Sequence, residues 1–372
     1  MKKERHSKRR RVGNNDPYPD LVVSVSSSRG RAPVVDQPVR ADDHVPSAQD
    51  ISKELGKVDN ISSKVNALRA LKQLQEWLIK EKIESSVVLE NFHCYGGIAR
   101  VFDFLETNMN DMDCVVGTVA FIADFLSFRW NAKEQKKNLA IEMAKMIVRR
   151  NGVELLLRAN HEYAVGHRTS SAKKHIWVAL GRTINGEETR GIIGKKKKMS
   201  ILNDAIDCIF RLEEIGSQDN NVWTVDVLQV VLYAMANTIK DASLVKEDLK
   251  HTDVVSVCLK VLKRDADWNR NEDVVTYTLG ILTICTKQKT IVRRKEFEQL
   301  LPMLMNCIRC FRENSQIRSF VLALLEGACD KVHKETMEKA GVLEAISTLI
   351  KPEGLSEEIK EKARGIMRKI LN

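Results

Sequence analysis

Ala340-Gly341-Val342-Leu343-Glu344-Ala345-Ile346 repeats a phrase met twice earlier in the chain. The earlier copies are Gly96-Gly97-Ile98-Ala99-Arg100-Val101-Phe102 and Asn151-Gly152-Val153-Glu154-Leu155-Leu156-Leu157. Each is a turn-forming residue followed by an amphipathic helical pattern. Weaker copies start near Asp204, Asp253 and Gln299. A second phrase follows the first by about 25–30 residues: Val178-Ala179-Leu180-Gly181-Arg182-Thr183-Ile184 matches Tyr233-Ala234-Met235-Ala236-Asn237-Thr238-Ile239. Recurrence at a spacing of tens of residues is the signature of a stacked repeat, in which no single unit buries its own apolar face.

Composition agrees with stacked helices. Five of the seven prolines fall in residues 17–46, and none occurs from 47 to 301. Proline costs about 3 kcal/mol inside a helix, so such a gap suits helices and not strands and turns. Leu68, Leu71, Leu74 and Leu78 recur at spacings of three and four, one face of a helix. Residues 1–50 read as a disordered tail with the cluster Lys8, Arg9, Arg10 and Arg11, and 51–372 as the helical domain. No apolar run is long enough to span a bilayer, and no secretory signal opens the chain. The eight cysteines are expected to be reduced.

The glycine, the Leu/Val-rich helix and the longer Ala/Leu-rich helix after it resemble the armadillo repeat over residues 60–372. HEAT repeats, with two helices per unit, are the alternative. The resemblance implies an all-α, right-handed solenoid of about six degenerate repeats whose third helices line a concave groove. It also implies a non-enzymatic protein-binding scaffold. Armadillo nuclear-import receptors carry a Trp and an Asn one turn apart on successive third helices. The equivalent pairs here are Val178 with Arg182, Tyr233 with Asn237, and Leu322 with Glu326. Only Tyr233/Asn237 approaches that pattern, which argues against an import-receptor role. The groove positions that carry over are Lys174, Arg182, Tyr233, Asn237 and Glu326.

The net charge of +10 is unevenly spread: residues 129–199 alone carry net +11. That segment suggests a basic concave patch for an acidic protein segment, or for a nucleic-acid backbone. Tyr163 and Trp177 are its main candidate stacking platforms, too few for a single-strand reader. Lys195 to Lys198, after Gly191 and Gly194, read as an inter-repeat loop. The Lys8–Arg11 cluster has the composition of a nuclear localisation signal, which suggests nucleus, cytoplasm or both.

Other chemistries lack their constellations. Cys307-Ile308-Arg309-Cys310 has no second ligand pair, and Cys307 falls on an apolar face. The glycines before Lys195 miss phosphate-loop spacing, and no HExxH or GxSxG occurs. No cofactor or metal is expected.

Overall fold

A computed structural model describes residues 46–59, 63–80, 87–131, 134–216, 222–240, 244, 246–264, 271–287, 292–350 and 357–371. The basic cluster Lys8–Arg11 lies outside them. Among the described residues there are nineteen helices and no strand. A leading pair, α1 (Ala48–Asp59) and α2 (Lys64–Lys80), is followed by α3 (Val87–Cys94), α4 (Gly97–Thr107) and α5 (Met112–Asn131). Next come α6 (Glu134–Arg149), α7 (Gly152–Glu162) and α8 (Ser170–Ile184), then α9 (Glu187–Ile192), α10 (Lys195–Gly216) and α11 (Val222–Ile239). A fourth triplet is α12 (Lys246–Lys250), α13 (Val254–Lys263) and α14 (Glu272–Lys287). Two helices, α15 (Arg294–Cys310) and α16 (Ser315–Cys329), precede the last triplet, α17 (Lys334–Lys339), α18 (Val342–Ile350) and α19 (Glu357–Leu371).

The helices stack as an all-α solenoid, each packing chiefly on elements no more than three places away in the chain. Two long rows result. The last helix of each unit packs on the last helix of the next, giving the ladder α2–α5–α8–α11–α14–α16–α19. The helix before it forms a second row, α1–α4–α7–α10–α13–α15–α18.

The repeated sequence phrase marks the bend into the second row. Gly96, Asn151 and Gly341 stand immediately before α4, α7 and α18 with φ of 69°, 58° and 73°. This left-handed conformation favours glycine and is tolerated by asparagine. Just inside α7, a Cβ on Gly152 would meet the Ile147 carbonyl and the Phe102 ring, each at 2.8 Å, so glycine also permits the close helix approach. Of the weaker copies, Asp253 stands directly before α13, with φ of −85°, and the other two fall inside helices. Asp204 lies inside α10, and the bend falls instead at Gly194, before Lys195. Gln299 lies inside α15, which runs unbroken through Pro302.

The ladder holds the middle of the core. In α14 every residue from Val274 to Cys285 is buried, and in α11 every residue from Val230 to Ile239. A helix buried all round must satisfy its polar side chains internally. Its threonines do so by donating to the carbonyl four residues back: Thr183 to Ala179 at 2.7 Å, Thr238 to Ala234 at 2.8 Å and Thr278 to Val274 at 2.7 Å. No helix among the described residues is long and apolar enough to cross a membrane.

Candidate functional site

The five groove positions lie on the ladder: Lys174 and Arg182 on α8, Tyr233 and Asn237 on α11, Glu326 on α16. Their environments differ. Lys174 is half-buried, with Nζ 2.7 Å from Asp226 Oδ2 of α11. Glu326 is exposed and meets Lys362 Nζ of α19 at 3.6 Å. Both ion pairs link neighbouring rungs.

Arg182 is a strut between rungs, its side chain only 12% exposed. It donates to the Ala123 carbonyl of α5 and lies 4.0 Å from Asp124 Oδ1. Burial pulls its guanidinium below the ordinary arginine value, while Tyr233 and Asp124 act the other way. His175 beside it is also lowered by burial, with Asp124 opposing and Lys174 and Arg182 adding to the shift. The imidazole is therefore held neutral at physiological pH.

Tyr233 is 4% exposed. Its ring sits 5.7 Å from that of Tyr277 on α14, and its hydroxyl accepts from Asn185 Nδ2 at 3.2 Å. The ring lies directly on Gly181 of α8: a Cβ there would fall 2.6 Å from the ring and 3.3 Å from Ala234 Cα. Asn237, one turn on, is fully buried, and neither side-chain amide atom has a hydrogen-bond partner among the described residues.

Several polar groups link neighbouring ladder helices in or near their N-terminal halves. Lys64 of α2 meets Asp111 at 2.8 Å, beside the start of α5. Gln229 of α11 donates to Asp273 of α14 at 2.7 Å. Asn314, the N-cap of α16, donates to Glu272. With Lys174–Asp226 these links join four of the six neighbouring helix pairs of the ladder, α2–α5, α8–α11, α11–α14 and α14–α16, by partners 42 to 52 residues apart in sequence. Sequence reading missed these links, because the individual partners share no motif.

The described part of the basic 129–199 segment is mostly committed to internal partners. Lys145 pairs with Glu142, Arg158 with Glu106, Lys195 with Asp248 and Lys197 with Glu154. Lys195 to Lys198 form the first turn of α10 and not a loop, and Lys198 is buried. Trp177 is fully buried, so it cannot serve as a stacking platform. The Tyr163 hydroxyl donates to the Met109 carbonyl at 2.8 Å. Arg149, Arg150, Arg168 and Lys196 remain exposed without an ion pair among the described residues. Cys307 is buried, as its place on an apolar face implied, and Cys310 is exposed.

No protein-family model matches the chain, and no curated protein matches it in sequence. One solved structure it is similar to is the crystal structure of an engineered protein, at TM-score 0.34 and 13% identity, with 87% of this chain and 99% of that one covered. Likeness at that level carries no argument about function.

Proposed function

We propose that the chain is a non-enzymatic interaction scaffold of the armadillo-like type, working in the nucleus, the cytoplasm or both. On this reading it binds a segment of a partner protein along the exposed edge of its helix ladder. The observation that carries the reading is the uninterrupted ladder α2–α5–α8–α11–α14–α16–α19, with polar links at its edge between four of its six neighbouring pairs. Triplet units with a left-handed bend into the second helix support three helices per repeat over two. Neighbouring ladder helices pack more extensively on one another than neighbouring second-row helices do. On this reading the ladder lines the inner face of the stack, as the third helices of an armadillo-like solenoid do.

Within this reading the five groove residues divide. Lys174 and Glu326 are accessible to a partner, while Arg182, Tyr233 and Asn237 shape and hold the ladder. Partner specificity then lies in the edge residues Lys174, Asp226, Gln229 and Asp273. A nucleic-acid role has less support, since most described cations of the basic segment are internally paired.

The test exchanges charges across one rung. Lys174→Glu with Asp226→Lys keeps the ion pair and reverses its field. Crosslinking pulldown from nuclease-treated extract is expected to lose partner proteins with this variant, at an unchanged melting temperature. An identical partner set for wild type and variant contradicts the proposal. Arg182 is unsuitable for this test, because reversing a buried strut would unfold the site it probes.

A further inference from the structure

Lys173 lies on α8, facing α7 and α10, and is 4% exposed. Its Nζ donates to Asn160 Oδ1 at 2.9 Å and to the Asn160 backbone carbonyl. That carbonyl belongs to the last turn of α7, which leaves such groups without intrahelical partners. Both acceptors are neutral, and Lys173 makes no ion pair among the described residues. Burial pulls the amine down to about 8.

Beside the amine is a cavity of about 100 Å³. Asp204, Asp207, Cys208 and Arg211 of α10 line it, three and four residues apart on one helix face. His161 of α7 also lines it, its Nε2 2.8 Å from Asp204 Oδ2. Cys208 is not a competing nucleophile, because burial pushes its thiol up to about 11. Ligand pockets for larger molecules run to several hundred Å³, so this space suits a molecule of a few heavy atoms.

We propose that the Lys173 amine is a carbamylation site for carbon dioxide. The nitrogen lone pair attacks the carbon, and one C=O bonding pair moves onto oxygen. A proton leaves the nitrogen for solvent, giving an Nζ-carboxylate that keeps one N–H for Asn160. The step needs no oxidant, reductant or cofactor. Arg211 offsets the new negative charge. Asp207 and Asp204 oppose it, the latter hydrogen-bonded to His161. An amine titrating near 8 is about a quarter free base at pH 7.5, roughly two-hundredfold more than an ordinary lysine. Carbamylation replaces the cation that covers the end of α7 with an anion, so carbon dioxide would act on the junction of α7 with α8.

The test incubates the full chain with ¹³C-bicarbonate at pH 7.5, traps carbamates with an alkyl oxonium reagent and maps them by mass spectrometry. Lys173 is expected to carry the label at more than tenfold the occupancy of any other lysine. The ¹³C carbamate resonance is expected to vanish in Lys173→Met and to weaken at least threefold in Arg211→Ala, whose site is exposed. Label spread over surface lysines and absent from Lys173 overturns the proposal, as does a resonance that persists in Lys173→Met. The trapping result on wild type decides the matter even where Lys173→Met does not fold.

Discussion

The two rows of helices hold together by different physics. In the ladder, α8, α11 and α14 meet mainly through apolar side chains, buried threonines and one glycine-to-ring approach, Gly181 on Tyr233, with Lys174–Asp226 and Gln229–Asp273 only at the edge. In the second row, the links that show a repeat are ion pairs. Arg100 of α4 pairs with Asp59 of α1, Arg158 of α7 with Glu106 of α4, Lys197 of α10 with Glu154 of α7, and Lys260 of α13 with Glu213 of α10. Each time the cation stands one unit after the acid. These pairs are largely solvent-exposed, and exposed pairs contribute about 0 to 1 kcal/mol each. The difference leads us to expect a fixed spine and a more compliant flank, with spacing along the ladder set more strictly by packing than spacing along the second row.

The largest expected effect breaks the spine. Tyr233→Ala removes a buried ring between α8 and α14, and is expected to cost about 3 to 5 kcal/mol in urea unfolding. A loss below about 1 kcal/mol would mean that the ladder tolerates slack there. The seam between the rows comes next, at Lys173. Its folded value near 8 lies below the unfolded value near 10.5, so the unfolded chain binds more protons between them. Stability should therefore rise with pH across that window, by up to about 3 kcal/mol in carbon dioxide-free buffer. Lys173→Met should remove this rise, and an unchanged slope in the variant would assign it elsewhere. Gly181→Ala tests close approach with a single methyl group. It should destabilise by about 1 to 3 kcal/mol, since both the Tyr233 ring and the α11 backbone crowd the new atom. The smallest effect belongs to the flank: Arg158→Ala and Lys197→Ala should each cost less than about 1 kcal/mol, and less still in high salt. A salt-independent loss of several kcal/mol would show that the flank is as rigid as the spine.

Much of the fold was legible because its bends need special residues. Positive φ before α4, α7 and α18 selects Gly96, Asn151 and Gly341, and these stand out in one sequence. The match of Val178–Ile184 with Tyr233–Ile239 identified two segments that prove to be neighbouring rungs. Charge was less legible. Lys195 to Lys198 follow Gly191 and Gly194 and so resembled a loop, whereas they open a helix, where lysines oppose the macrodipole. Asp248 and Glu154, distant in sequence, provide the acids that accommodate two of them. Periodicity identified the helix that carries each groove residue and could not give its exposure. Burial of Tyr233 depends on how closely α8 and α11 approach, and that distance depends on Gly181. The amine of Lys173 was hidden for the same reason: its partner Asn160 and its cavity exist only after α7, α8 and α10 are stacked.

The contrast between spine and flank is tested most directly by native-state hydrogen exchange, read helix by helix across the full chain. Amides of α8, α11 and α14 are expected to exchange only through global unfolding, and those of α4, α7, α10 and α13 at least tenfold faster through local opening. Uniform protection across both rows, or a second row that outlasts the ladder, would contradict the account.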